Sequence, residues 1–270
     1  MVAAALERVL VGTDGSPAAA RGVGWAASLA RGLGAELVVT SVVDTRTFAG
    51  DLGAERSRVA VAIDEEWSEP AGDELGSHLS TLVLEGDPRT VLPTEAVTQK
   101  ADVLVLGSAG VGWYPAMHLG HVAHAVAHHS PVPVVIVPPG AAARAPEVIL
   151  LGIDGSAGSA SATAWAAQLA RTVGAEVVAV HVQVSEGDQT VDEAQCKEWV
   201  APLLDAGVPT RIVGHTGWPA TALMELAASE APDLVVLGAR GAGGYKGLQL
   251  GSVSLGVLQR SFIPVAIVPV

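Results

Sequence analysis

The chain has 270 residues, with 15 Lys and Arg against 28 Asp and Glu and a formal charge of −13. The deficit is even, 9 basic and 16 acidic residues before Pro146 and 6 and 12 from there on, so no basic face is left for a nucleic-acid backbone. Half of the residues are hydrophobic and 16% charged, which suits packed interiors; the single Cys196 excludes a disulfide framework or a four-cysteine zinc site and fits a reducing compartment.

The apolar start, Met1 to Leu6, is short, lacks a leading positive charge and runs into Glu7-Arg8, unlike a signal peptide. Strands are expected near 8–13, 36–43, 81–85, 102–106 and 133–137, with helices between them near 17–32, 56–75, 88–99 and 121–129. Asp14-Gly15-Ser16 closes the first strand as a turn in which Asp or Ser can cap the following helix. Val103 to Ala143 carries no formal charge over 41 residues, but glycines, prolines and five histidines interrupt it, so no membrane span of about 20 apolar residues forms. A soluble cytoplasmic protein is expected.

After a Pro- and Gly-bearing linker, Pro138 to Pro146, the pattern begins again. Val9-Leu-Val-Gly-Thr-Asp14-Gly-Ser16 returns as Ile149-Leu-Leu-Gly-Ile-Asp154-Gly-Ser156, and Trp25-Ala-Ala-Ser-Leu-Ala-Arg31 as Trp165-Ala-Ala-Gln-Leu-Ala-Arg171, at an offset of 140. Glu66-Trp67-x-x-Pro70 returns as Glu198-Trp199-x-x-Pro202, and Asp102-Val-Leu-Val-Leu-Gly107 as Asp233-Leu-Val-Val-Leu-Gly238 at an offset of 131. Two homologous domains are expected, 1–140 and 146–270. Continuous apolar runs such as Val103 to Leu106 suit a parallel sheet buried on both faces, and right-handed crossovers make each copy a Rossmann-like or flavodoxin-like α/β sandwich of order 3-2-1-4-5. Ligands of such sheets bind beyond the carboxyl ends of strands 1 and 4, where the order reverses.

In the second copy strand 4 is followed by a loop with Gly238, Gly241 and Gly251, ending at Ser252, which opens a helix. Such a loop can aim backbone N–H groups at phosphate oxygens, and Arg240 and Lys246 add charge; a plain Gly-rich surface loop is the equal alternative from the loop alone.

At these residues the sequence resembles the universal stress protein family in its tandem, actinobacterial form. That family's nucleotide signature is Gly, two residues, Gly, nine residues, Gly, then Ser or Thr; Gly238, Gly241, Gly251 and Ser252 keep it, with Val253-Ser254 as the usual continuation. The closing Pro133-Val-Val-Ile-Val-Pro138 and Pro264-Val-Ala-Ile-Val-Pro269 also resemble the family's last strand, through which its domains pair. The resemblance covers nearly the whole chain, twice. It implies two adenine nucleotide alpha hydrolase-like domains that bind ATP with Mg2+, Asp154 and Asp14 lying near ribose and phosphates. It further implies Val182 and Val42 near the base, Ile153 and its counterpart Thr13 lining the adenine pocket, and Ser252 and Ser254 meeting phosphates. The first copy keeps Gly107, Gly110 and Gly120 but has His121 in place of the Ser or Thr, and its loop lacks Arg and Lys, so its site is expected to be weaker or empty.

Three functions follow from these readings: an ATP-binding regulatory module of the stress response, a weak ATPase or phosphotransferase, or a non-nucleotide module acting through its pairing surface. No catalytic residue and no metal site is assigned. The strands at 133–137 and 264–268 are expected to pair within the chain, Val135 and Ala266 among the contacts, and a homodimer is compatible with the same surface. Gly22-Val-Gly24-Trp-Ala-Ala27 imitates a dinucleotide fingerprint but falls inside a helix; no P-loop and no Gly-x-Ser-x-Gly elbow occurs. His118, His121, His124, His128 and His129 fall within twelve residues and read as a His-rich exposed helix face, while Cys196, Trp67 and Trp199 read as incidental or packing residues.

Overall fold

The computed structural model describes residues 5–110, 119–184, 192–242 and 250–270, with the side chain of Asp73 left aside. These form two compact units, 6–145 and 146–270. The first runs β1 (Arg8–Gly12), α1 (Pro17–Leu33), β2 (Glu36–Asp44), α2 (Leu52–Ala62), β3 (Leu79–Gly86), α3 (Pro88–Thr98), β4 (Val103–Gly107), α4 (His121–His129) and β5 (Val134–Val137). Its strands lie in the order β3-β2-β1-β4-β5, each pair parallel.

The second unit repeats the plan with β6 (Val148–Ile153), α5 (Ala157–Val173), β7 (Glu176–Gln183), α6 (Glu193–Trp199), α7 (Ala201–Asp205), β8 (Thr210–Thr216), α8 (Pro219–Glu230), β9 (Leu234–Gly238), α9 (Ser252–Leu258) and β10 (Val265–Val268). Its order is β8-β7-β6-β9-β10, again parallel. The α/β class, the parallel sheets and the 3-2-1-4-5 order are as the sequence predicts.

The physical causes are local. The central strands β4 and β9 are apolar at every position from Val103 to Leu106 and from Leu234 to Leu237, and all of these are buried, because helices cover both faces. Helix α1 begins at Ser16, whose side chain accepts the Ala19 N–H at 3.2 Å, and α5 at Ser156, which accepts that of Ser159 at 3.1 Å. Trp25, Ala26, Leu29 and Ala30 face the sheet from α1, and Trp165, Ala166, Leu169 and Ala170 do so from α5. Burying one leucine or tryptophan of this set stabilises a unit by about 1.5–3 kcal/mol, and the alanines let the helix approach closely enough to do so. Register is fixed at the strand starts: Asp102 Oδ2 accepts the N–H groups of Glu7 and Arg8 at 2.6 and 2.9 Å, and Asp233 Oδ2 those of Glu147 and Val148 at 2.9 and 3.1 Å.

One expected element differs. The helix predicted over 56–75 is α2, starting earlier at Leu52, followed by a π-helical turn, Ile63–Trp67, and 3-10 pieces at Glu69–Ala71 and Asp73–His78. Pro70 cannot donate the helical hydrogen bond and Gly72 and Gly76 turn to positive φ, 71° and 49°, so the segment breaks up. Among the described residues no helix is long and apolar enough to cross a membrane.

Two helix starts that match in the repeat carry different caps. Asp87 caps α3, its Oδ1 accepting the Arg89 N–H at 3.0 Å, while the matching residue before α8 is Trp218, 77% exposed and without a side-chain cap bond. Trp218→Asp is therefore expected to stabilise the second unit by about 1 kcal/mol, read as a higher urea midpoint at unchanged slope.

Asp87 also joins Asp44, Arg46 and Arg89 in one network, with Arg46 to Asp44 at 2.6 Å, Arg46 to Asp87 at 3.2 Å and Arg89 to Asp87 at 2.7 Å. The hydrogen-bonding Arg89 guanidinium foremost, helped by Arg46, holds the Asp87 carboxyl down at about 2. Because the folded-state value lies below the ordinary carboxylate value near 4, this group stabilises the fold above that value. The contribution is lost as pH falls towards 2. Urea titrations between pH 5 and 2 check it: Asp87→Asn should flatten the acid decline of the first unit relative to wild type.

Candidate functional site

The carboxyl ends of β6 and β9, adjacent and parallel, carry the residues that the sequence singled out. Beyond Ile153, which is buried, the chain turns through Asp154, Gly155 and Ser156 into α5, and Gly155 adopts φ +74°. Both carboxylate oxygens of Asp154 are held. Its Oδ1 accepts the Ser156 N–H at 3.0 Å and the Ser156 hydroxyl at 2.6 Å; its Oδ2 accepts the Ala242 N–H, in the glycine loop, at 2.8 Å. The Asp154 N–H is in turn donated to Ser159 Oγ at 3.2 Å. One carboxylate thus ties the first turn of the unit to the loop that follows β9.

Glycines make this approach feasible. A Cβ on Gly238 would lie well inside contact with the backbone of Gly158 in the first turn of α5, and one on Gly241 would stand 2.5 Å from Asp154 Oδ2. The loop returns through Gly251, whose N–H is donated to Ala239 O at 2.7 Å, and Gly251 is the N-cap residue of α9. Ser252 is the first helical residue and exposed, Val253 is half-buried, and Arg240 is exposed at the loop's start. Ser254 is 4% exposed and donates its hydroxyl to Gly238 O at 2.8 Å, so it braces the end of β9. Lys246 lies outside the described residues. Val182, half-buried near the end of β7, is next to His181, whose Nδ1 lies 3.1 Å from Ile153 O.

The first unit rebuilds the frame among its described residues. Asp14 Oδ1 accepts the Ser16 N–H at 3.0 Å, and a Cβ on Gly110 would stand 2.5 Å from Asp14 Oδ2. Gly107 abuts the backbone of Ala18, and the Gly120 N–H is donated to Ser108 O at 2.7 Å, as Gly251 does to Ala239. Thr13 is buried and accepts the Gly15 N–H through Oγ1 at 3.3 Å, and Val42 is half-buried at the end of β2. His121 begins α4, exposed where the second unit has Ser252, and Ala123 stands where the second unit has Ser254. The His121 difference was legible in the signature; the loss of the Ser254 brace at Ala123 is visible once the offset of 131 is carried two residues further.

Two groups join the site that sequence reasoning had set aside as packing. The Trp199 indole lies against the Gly155 turn, where a Cβ would come to 2.5 Å from Cζ2, and Trp67 lies likewise on Gly15. His181 meets Trp199 edge-on at a ring-centroid distance of 5.4 Å. One cavity of about 650 Å³ lies between α3 and α4 at Thr90, Val97 and His129, and another of about 520 Å³ between β8 and α6 at His181, Cys196 and His215. Burial pushes the Cys196 thiol up, which keeps it protonated and unreactive at neutral pH.

Comparison with known proteins places the fold in a family. The model of the universal stress protein family matches residues 5–138 and 146–269. A universal stress protein of Mycolicibacterium smegmatis is 31% identical over 289 aligned residues, covering 96% of this chain and 96% of its own. One of Mycobacterium tuberculosis is 31% identical over 288, covering 96% and 95%. Among solved structures, a universal stress protein from Archaeoglobus fulgidus has a TM-score of 0.74 at 22% identity, covering 97% of this chain and 98% of that one, a likeness of fold.

Proposed function

The chain belongs to the universal stress protein family through both of its units, and from that premise we propose that it is an ATP-binding regulatory module whose working site is in the second unit. The observation that carries the reading is the link from Asp154 Oδ2 to the Ala242 N–H, which holds the start of the loop, just past Gly241, against the turn after β6. The absence of a side chain at Gly241 is what lets the loop come this close, since a Cβ there would stand 2.5 Å from Asp154 Oδ2; a glycine-lined approach of this kind suits main-chain recognition of a phosphate. In this reading the triphosphate lies along that loop to Ser252, Arg240 supplies a positive charge at its start, and the base reaches towards Ile153 and Val182. Asp154 is the group that would face Mg2+ when it is bound with the nucleotide, since a carboxylate oxygen keeps lone pairs beside its hydrogen bonds. Ser254 acts by bracing Gly238.

Thermal and calorimetric titration of the full chain with ATP and Mg2+ tests this. At about 100 times the dissociation constant, a ligand bound only by the folded state raises stability by about 2.7 kcal/mol. No shift up to millimolar ATP overturns the reading, and mass spectrometry of nucleotide released from freshly purified protein identifies the occupant.

The units are expected to be unequal, the second the tighter, because His121 and Ala123 replace Ser252 and Ser254. Gly251→Val separates them. A Cβ there meets Ala239 O at an ordinary 3.5 Å and φ is −73°, so the fold tolerates the change while the side chain intrudes on the loop. The variant should lose the tighter calorimetric phase; keeping it would refute the assignment.

A further inference from the structure

Helix α4 holds His121, His124, His128 and His129 within nine residues, although histidine is a mediocre helix former and nothing in the nucleotide frame beyond position 121 uses them. His124 and His128 are one turn apart, and their rings lie 4.3 Å apart between centroids with planes inclined at 36°. His128 Nδ1 is 2.9 Å from His124 O. A carbonyl oxygen only accepts, so Nδ1 carries the proton and the lone pair of neutral His128 is on Nε2. A ligating histidine is set in this way: its second ring N–H is fixed on a backbone carbonyl, which orients the ring and raises the basicity of the other nitrogen.

We infer that His124 and His128 form a two-imidazole chelate for a divalent transition-metal ion, zinc or nickel, with water completing the coordination. Imidazole nitrogens suit these ions, whereas magnesium and calcium take oxygen ligands. The chelate has two protein ligands because, among the described residues, no group of three or more His, Cys, Asp or Glu converges on one point. His129 is turned to a different carbonyl, Ala125 O, at 2.8 Å, and its ring is 6.0 Å from that of His128. The feature belongs to the first unit alone, since the matching residues of α9 are Leu255 and Gln259. It is independent of the nucleotide reading and gives the unit whose signature is broken a ligand of its own.

The test uses the full, untagged chain after dialysis against a chelator. Calorimetry with Ni2+ or Zn2+ at pH 7.5 should give a saturable site with one ion per chain. His124→Ala and His128→Ala should each weaken it at least about tenfold, within the loss expected for disturbing a metal site, while His129→Ala leaves it unchanged. Copper loaded in place of nickel should show two equatorial nitrogens by electron paramagnetic resonance, reduced to one in either variant. Circular dichroism of the variants shows that α4 is intact. The converse, Leu255→His with Gln259→His, should create a second site in the other unit. Unaltered affinity in the His124→Ala/His128→Ala double variant, or no binding at several hundred micromolar metal, overturns the inference.

Discussion

Gly155→Ala is expected to remove about 2–5 kcal/mol from the second unit, whereas Gly174→Ala, at nearly the same backbone angle, removes about 1–2 kcal/mol. Both glycines have a left-handed backbone, φ +74° and +76°, where an L side chain costs about 1–2 kcal/mol. They differ in what a methyl group would meet. At Gly174, the C-cap of α5, nothing lies within 4 Å; at Gly155 the Trp199 indole stands at 2.5 Å. Relieving that overlap means moving a ring that also carries the edge-on contact with His181, and overpacking of this kind costs about a further 1–3 kcal/mol. Urea unfolding of the two variants measures the difference directly. Equal losses would show that the indole yields freely and that Trp199 does not shape the turn. A loss at Gly155 that falls to the Gly174 value in a Trp199→Ala background would establish the indole as its cause.

That contact shows where sequence reading stops. The strands were legible to within two residues because each is a short β-branched run between turn residues and because every run occurs twice. The frame of the site was legible too, since Asp154, Gly238, Gly241 and Gly251 follow the carboxyl ends of strands whose order the crossovers dictate. Trp67 and Trp199 were recognisable as packing residues from their repetition, yet their partner was not, because it depends on the path the chain takes between the second and third strands. In the first unit that path is a broken series of turns, set by Pro70, Gly72 and Gly76, which periodicity reads as one helix. The Ser254 hydroxyl donates to Gly238 O, a pairing between a helix and a strand end that no local pattern encodes. The His face of α4 was visible in the spacing, but the tautomer that makes His128 a ligand required the carbonyl beside its Nδ1.

Asp154→Ala is expected to weaken ATP binding by about 10- to 100-fold while the unit stays folded. The carboxylate receives three donors, two from Ser156 and one from Ala242. A hydrogen bond to a charged group contributes about 1.5–3 kcal/mol, and each 1.4 kcal/mol is a factor of ten in affinity. The Ser156 donors belong to the turn and to the start of α5, which Ser159 and the buried helix face also hold, so their loss is largely local. The Ala242 donor is different, because it joins the residue after Gly241 to the turn after β6. On the proposed reading, the cost of holding that residue in place without the link would be subtracted from the binding free energy. Asp154→Asn separates position from charge. One amide oxygen can still accept from Ser156, but the amide nitrogen then faces the Ala242 N–H, donor against donor, and the link to the loop is broken as surely as in the alanine variant. Calorimetric titration with ATP and Mg2+ should therefore give both variants similar, much weakened affinities, with the asparagine variant nearer to wild type in urea stability. Wild-type affinity in Asp154→Ala would remove this carboxylate from the site, and with it the observation on which the nucleotide reading rests.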